Sequence, residues 1–418
     1  MQSEINPWSS TPNLDMEKLY REFGIEPIED IVKGIEDAPT FLRRNIVSGN
    51  RDYSLIADAI AAKKKFYVMT GFMPSGYPHL GHLMVMKEVV WHTKRGGTGF
   101  ISIADREAHA VRGLSREKCK FFGEKYLSWL YALGYKGERY YQSENDRLKD
   151  LAFESAIRIN FSQLTAIYGF TPETSLAHAM SVATQVADIL YPQLKYGPAP
   201  TVVPVGIDQD PHIRLTRDVA NSLRMFTILK TDDGVSIRSK NAPAQAMDMV
   251  EKEFGKNGCK RFEGHIDVRG VDIAYADEIV RKIEVECGGY GFYLPSSTYH
   301  TFLQGLTGGK MSSSVPESLF RFDEPEKDIK KKIMGALTGG RMTLEEQKKL
   351  GGEPEKCSIY LLNVFHMQED DEELKEMCRA CKAGELLCGT CKKETFERIK
   401  EFTKDFNEKL DEVSHMAE

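Results

Sequence analysis

From Phe66 onward, short apolar runs and longer amphipathic stretches take turns along the chain. Phe66-Tyr67-Val68-Met69-Thr70, flanked by Lys63-Lys64-Lys65 and Gly71, is too short for a helix and predicts a buried strand. The Gly/Pro loop from Gly71 to Gly76 follows. His79 to Thr93, rich in Leu, Met and Val, then predicts a largely buried helix, and Phe100 to Ala104 a second strand. Ser115 is placed to cap a helix whose stripe is Phe122, Tyr126 and Leu130, with Gly134 as its stop. Thr201 to Gly206 predicts a third strand, although Pro204 removes one ladder hydrogen bond. This alternation predicts an α/β domain with a mainly parallel sheet. Ligands of such sheets bind beyond the carboxyl ends of the strands, so the loop after Thr70, Asp105 and Asp208 should share one edge.

Beyond Phe322 the period is helical to the end. Asp323-Glu324-Pro325 opens a helix with Ile329, Ile333 and Leu337 on one face and Lys330-Lys331-Lys332 further along, complementing its dipole. Thr343-Leu344-Glu345-Glu346 is a capping-box pattern closed by Gly351-Gly352. A last helix carries Phe396, Ile399, Phe402, Phe406, Leu410 and Val413 as a stripe. The expected organisation is a polar N-terminal extension over 1–63 with no obvious strand, the α/β domain over 64–322, and an all-α domain over 323–418.

Composition adds limits. The chain has 418 residues, 41% hydrophobic and 10% aromatic, enough to bury a core in each of several domains; disorder and collagen-like architecture are excluded. Its N-terminus has no basic and apolar signal pattern, and its richest apolar stretch, Leu83 to Trp91, is broken by Lys87-Glu88, so neither secretion nor a membrane span is expected. The net charge of −6 lies wholly after Phe322, where 17 basic residues meet 23 acidic ones. Nucleic acid would therefore be held by a local basic face, with Lys330-Lys331-Lys332 and Lys392-Lys393 as candidates, and not by general attraction. Cys378-Arg379-Ala380-Cys381 and Cys388-Gly389-Thr390-Cys391 form two C-x-x-C pairs, which read either as a tetrahedral zinc knuckle or as four reduced, partly buried thiols.

Two clusters carry candidate chemistry. Pro78-His79-Leu80-Gly81-His82 falls where a loop becomes a helix N-terminus, with free N–H groups and a positive dipole end for an anion and two histidines three apart on one face. Gly81 would let a flat group approach the backbone. Gly308-Gly309-Lys310-Met311-Ser312-Ser313-Ser314 places a mobile cation among hydroxyls, suited to charge developing on a phosphate chain. It is not a Walker A loop, since Gln304 takes the first glycine position and Met311 follows the lysine.

An H-x-G-H early in an α/β domain paired with K-M-S-S-S at its end resembles the class I aminoacyl-tRNA synthetases. Within them the chain resembles the tryptophanyl type of archaea and eukaryotes, through Asn6-Pro7-Trp8, Phe41-Leu42-Arg43-Arg44, the block from Gly71 to His82, Gly206-Ile207-Asp208-Gln209-Asp210-Pro211-His212, Gly339-Gly340-Arg341 and Asp370-Asp371. The resemblance implies a Rossmann-like catalytic domain, a helical anticodon-binding domain, a cytoplasmic homodimer, and L-tryptophan, ATP, Mg²⁺ and tRNA(Trp) as substrates and partners. It implies that His79, His82 and Lys310 stabilise the ATP phosphates during adenylate formation. Pro74, Ser75, Gly76, Gly81, Asp208, Gln209, Met311, Ser312 and Ser313 would complete the ATP site, and Met69, Gln185 and Asp188 would line the amino-acid pocket. Glu107 is either a further pocket wall or a solvated surface acid. An indole needs an apolar slot with one acceptor at depth. Tyrosine is the nearest rival substrate; Ser181, where tyrosine-specific relatives usually carry Tyr, and the Asp208-Gln209-Asp210-Pro211 run favour tryptophan, while Met69 departs from the usual Tyr. The stretch from about 231 to 295 is longer than the family's usual connection and reads as a small inserted subdomain with helices near Met247 to Phe254 and Tyr275 to Val285. A silent RNA-binding paralogue and a small nucleotidyltransferase are the readings from other classes.

Overall fold

The computed structural model describes residues 23–255, 258–309, 311, 315–413 and 416. Its strands are β1 (Glu26–Pro27), β2 (Val47–Arg51), β3 (Tyr67–Phe72), β4 (Thr98–Ile103), β5 (Glu138–Tyr141), β6 (Thr201–Gly206), β7 (Phe226–Lys230), β8 (Gly234–Ser239), β9 (Lys260–Arg261), β10 (His265–Arg269) and β11 (Ser296–His300). A seven-stranded sheet runs in the order β1-β2-β11-β6-β3-β4-β5. Its five strands from β11 to β5 are parallel, while β2 joins β11, and β1 joins β2, antiparallel. The expected α/β class and parallel sheet are therefore present, and C-terminal helices follow it.

The expectation that residues 1–63 lack a strand is corrected by β2. Val47-Ser48-Gly49-Asn50-Arg51 shows no alternation because its polar positions are buried too, and Asn50 is satisfied locally: its Nδ2 donates to the carbonyls of Glu26 and Pro27, and its Oδ1 accepts from Tyr53 N. Strand β11, Ser296-Ser297-Thr298-Tyr299-His300, is likewise fully buried and hydroxyl-rich, with Ser296 Oγ donating to the Asp52 carbonyl and Thr298 Oγ1 to the Glu88 carboxyl.

Helix Leu80–Lys94 starts at His79, helix Arg116–Ala132 is capped by Ser115 Oγ accepting from Lys118 N, and Gly134 stops it at φ +88°. One core lies on the sheet face covered by these two helices, and a second lies on the opposite face under helices Asp146–Ala156, Leu176–Tyr196 and Asp210–Ser222. The stretch after β6 builds a separate four-stranded antiparallel sheet, β7-β8-β10-β9, covered by helices Ala244–Phe254 and Ile273–Glu286 around its own core.

The C-terminal helices Glu326–Gly335, Leu344–Leu350, Ser358–Leu362, Asp371–Lys382 and Cys388–Val413 continue the first core instead of building a new one. Trp129 stacks on Phe322 at 4.9 Å between ring centres and meets Phe406 edge-on at 5.3 Å. Far from these rings, Asp371 receives Arg43 Nε and Arg44 Nε at 2.6 Å each, which bring the early Arg-Arg pair onto the start of helix Asp371–Lys382 and hold the Asp371 carboxyl below its usual range. No helix among the described residues is long and apolar enough to cross a membrane.

Candidate active site

Strand β6 registers with β11 over residues 202–206 but with β3 only at Tyr67↔Thr201 and Val68↔Val202. Chain order reverses across this pair, and beyond Val202 the two strands part, the topology that opens a crevice at the carboxyl edge of a parallel sheet. Pro204 lies past the end of that ladder, and Thr70 Oγ1 reaches its carbonyl at 3.1 Å instead. The crevice contains a cavity of about 280 Å³ lined by Met69 to Phe72 from β3 and Met73 just past it, Val203 to Gly206 from β6, and Glu107, Gln142, Gln185, Asp188, Gln209 and His212.

Its polar floor is built from three elements. Gln185 and Asp188 lie one turn apart on helix Leu176–Tyr196, as their spacing predicts. Asp188 is buried; its Oδ1 accepts from Ser102 Oγ and Tyr140 OH at 2.9 Å, and its Oδ2 from Gln142 Nε2 at 2.7 Å. Burial pushes its carboxyl up to about 6, against the lowering effect of these donors. Because Gln142 must present its NH₂ to a carboxylate, its Oε1 faces away, buried and without a hydrogen-bond partner. Glu107 lines the same cavity, and burial followed by repulsion from Asp188 pushes it up to about 7, with Arg112 opposing; of its two readings, the pocket wall is the one observed. Met69 is buried at the floor. Asp105 stands at this edge just past β4, where it accepts from Ser143 N at 3.0 Å and ties the β4 and β5 loops together.

Ser102, Tyr140 and Gln142 escape a reading of motifs. The available signal is β5 itself, Glu138-Arg139-Tyr140-Tyr141, set off by Gly134 and Gly137, whose carboxyl end delivers Tyr140 and Gln142 to the edge already expected to bind ligands.

A larger cavity, about 970 Å³, adjoins the first through Met73, His82, Arg112, Gly206 and Gln209. Ser75, Gly76, His79, Gly81, Asp208 and Met311 line it, whereas Pro74 is buried in the same loop away from the lining. A Cβ on Gly206 would meet Asp208 Oδ1 at 2.7 Å, so a side chain there would push the Asp208 carboxylate aside. Lys310, Ser312 and Ser313, like the Asn6-Pro7-Trp8 block, lie outside the described residues.

The two histidines correct the expectation of free N–H groups at the helix start. His79 Nδ1 accepts from Gly81 N at 3.1 Å and His82 Nδ1 accepts from His79 N at 3.2 Å, a reciprocal capping box made of imidazoles. The flat group that Gly81 admits is the His79 ring itself, 3.0 Å from where a Cβ would stand. With Nδ1 of each ring accepting, the ring proton sits on Nε2, which makes both histidines N–H donors on that side. His82 Nε2 lies 3.3 Å from Tyr126 OH.

The four cysteines of the two C-x-x-C pairs, open to a zinc knuckle or to reduced thiols, do not gather as a set. Cys381, Cys388 and Cys391 share a small cavity with Cys357, while Cys378 hydrogen-bonds Tyr360. Burial, then the neighbouring Cys357, pushes Cys381 up to about 11 and Cys391 up to about 12. Among the described residues, no group of three or more His, Cys, Asp or Glu side chains is placed to hold a metal ion.

A sequence model of the class I tRNA synthetases (W and Y) matches residues 61–252 and 271–404. The tryptophan–tRNA ligase of Methanosarcina acetivorans is 49% identical over 98% of this chain and 96% of its own length, and that of Archaeoglobus fulgidus 47% identical over 98% and 97%. The crystal structure of tryptophanyl-tRNA synthetase from Aeropyrum pernix superposes with a TM-score of 0.77 at 32% identity, covering 99% of this chain and 97% of that one. With that model matching most of its length and relatives nearly half identical from end to end, the chain belongs to the class I tRNA synthetases of the tryptophan and tyrosine family.

Proposed function

We propose that the chain is a tryptophan–tRNA ligase, activating L-tryptophan with ATP and esterifying it to tRNA(Trp). The observation that carries the choice of amino acid is the Gln142–Asp188 floor: one unpaired buried acceptor at the depth of the slot matches the single N–H of an indole. The tryptophan carboxylate attacks the α-phosphorus of ATP, pyrophosphate leaves, and a hydroxyl of the terminal tRNA adenosine then takes the aminoacyl group, releasing AMP. The protein's part is placement and charge stabilisation. His79 and His82 donate from Nε2 to phosphate oxygens, Lys310 meets charge passing to pyrophosphate, and Asp208 and Gln209 hold the adenosine end. Mg²⁺ would screen the phosphate charge; Asp208 and Glu324 are the carboxylates that line the larger cavity, but Asp208 is at the adenosine end and both Glu324 oxygens accept from Lys332, so the ion would be held mainly by the phosphates themselves.

For tRNA, three of the five basic candidates are engaged within the fold. Lys332 pairs with Glu324 at 2.8 Å, Lys392 Nζ donates to the carbonyls of Met334 and Ala336, and Lys330 Nζ lies over the Phe396 ring at 5.5 Å, which favours Lys331 and Lys393 as the phosphate contacts. A homodimer is favoured by the exposed Phe153, Ile157, Phe161, Leu176 and Met180, which gather apolar surface on three consecutive helical segments. A cytoplasmic location fits this chemistry, since tRNA and ATP are met there.

ATP–pyrophosphate exchange with each amino acid tests the reading. Tryptophan should stimulate it and tyrosine should not, and Gln142→Leu should lower kcat/KM for tryptophan roughly 10- to 100-fold. Stimulation by tyrosine alone, or by neither, would overturn it.

A further inference from the structure

Strand β11 ends at the carboxyl edge of the sheet with His300, in register with Gly206 of β6. On its other side the pairing with β2 shifts register between Tyr299 and His300, an irregularity of the kind that re-aims a side chain at the rim of a site. The His300 side chain is buried, yet its Nε2 has no hydrogen-bond partner among the described residues. Burial pushes its imidazole down to about 4, so the ring is neutral near pH 7 and one of its nitrogens is an acceptor. His92, buried under the same helix, shows the packing alternative: it donates from Nδ1 to the Glu88 carbonyl and accepts at Nε2 from Tyr53 OH, each at 2.9 Å.

The surroundings of His300 have the shape and polarity that a flat base needs. It lines the larger cavity together with Gly81 and Met84 from the first turns of helix Leu80–Lys94, Phe302 and Leu303 just past β11, and Phe365 from the C-terminal helices. Those five present small or apolar surface to the faces of a ring, and His300 adds one polar atom for its edge. Its place along the cavity agrees. Asp208 and Gln209 follow β6 directly beyond Gly206 and hold the adenosine end, so the neighbouring strand delivers His300 beside the nucleoside.

We propose that His300 reads the base of ATP, its Nε2 accepting a hydrogen bond from the 6-amino group. The ring proton then sits on Nδ1. Adenine offers one strong donor on its edge, the 6-amino group, while its ring nitrogens accept. Guanine carries an oxygen at that position, whose lone pair would face that of Nε2, so the same contact sets ATP above GTP. His300 is thus a specificity-determining residue, and this role rests on the reading of the chain as an ATP-dependent tryptophan–tRNA ligase. The contact is equally strong before and during adenylate formation, so it acts on KM and leaves kcat alone.

Tryptophan-dependent pyrophosphate exchange tests this with ATP and with purine riboside triphosphate, which lacks only the 6-amino group. In the native sequence the analogue should lose roughly tenfold in kcat/KM, carried by KM. His300→Phe and His300→Leu, two different replacements without an acceptor, should each lose a similar factor with ATP and no longer tell ATP from the analogue, since the contact can be removed only once. His300→Gln keeps an acceptor and should restore much of the preference for ATP. A native chain that uses both triphosphates equally, or an ATP-to-analogue ratio as large in His300→Phe or His300→Leu as in the native chain, would overturn the inference while leaving the ligase reading intact. No exchange with tryptophan and ATP in the native chain would overturn that reading and this inference with it.

Discussion

The direction of the Gln142 amide is set by its neighbour. Asp188 accepts its NH₂, so its oxygen is left for a donor, and one hydrogen bond inside the protein thereby defines the ligand's polarity. None of this is legible from residue types, because Gln142, Tyr140 and Ser102 reach Asp188 through register across β4 and β5. Gln185 and Asp188 were legible, since three-residue spacing on a helix puts both on one face, Met69 through the family resemblance, and Glu107 through its place shortly after β4. Glu88 lies outside the chemistry and carries a different consequence. Fully buried between helix Leu80–Lys94 and β11, with only Thr298 Oγ1 donating to it, its carboxyl is pushed up by desolvation to about 8. The folded chain thus keeps a proton that the unfolded chain releases near pH 4.5, so stability contributed by this group is lost as pH rises from about 4.5 to about 8. Glu88→Gln, neutral at every pH, should flatten that slope and melt higher than the native sequence at pH 8.5. Melting temperatures at pH 5, 7 and 8.5 with parallel slopes would reject this account.

At the scale of elements, β3, β4 and β6 were legible because each is an apolar run between glycines or charges. Strands β2 and β11 were not, since both bury hydroxyls and amides that look solvent-facing until the partner strand is known. The small sheet β7-β8-β10-β9 was missed for a related reason: its helices have clear periods, but its short strands alternate too briefly to stand out. Helix Leu80–Lys94 unites stability and chemistry at its first residue. Removing the cap with His79→Ala should cost about 0.5–2 kcal/mol of stability as well as activity. His79→Asn keeps an acceptor for Gly81 N while losing the imidazole Nε2 donor. It should therefore melt close to the native protein yet lose exchange activity about 100-fold. Calorimetry and exchange rates on the two variants would show whether the functions separate; an Asn variant as unstable as the Ala variant would mean that the imidazole cap itself is indispensable.

For the whole molecule, the α/β class and the helical C-terminal part were readable from the switch in period near Phe322, but the way they join was not. A stripe such as Phe396, Ile399 and Phe406 says that a helix is half-buried and leaves open what covers it, and here it is the catalytic half. Trp129, buried between Phe322 and Phe406, is the side chain through which the two halves share a core. Trp129→Ala should destabilise the protein by roughly 3–5 kcal/mol in a single calorimetric transition. Two separate transitions in that variant would mean that the halves hold together without this residue. Trp129 stands one turn from Tyr126 on the same rigid helix, and Tyr126 touches His82. The ring that heads the nucleotide cavity and the ring that seats the last helix are thus mounted on one lever of about 5 Å. If a partner shifted the last helix enough to move Tyr126, nucleotide binding would, by linkage, alter that partner's affinity by the factor by which the partner altered the nucleotide's.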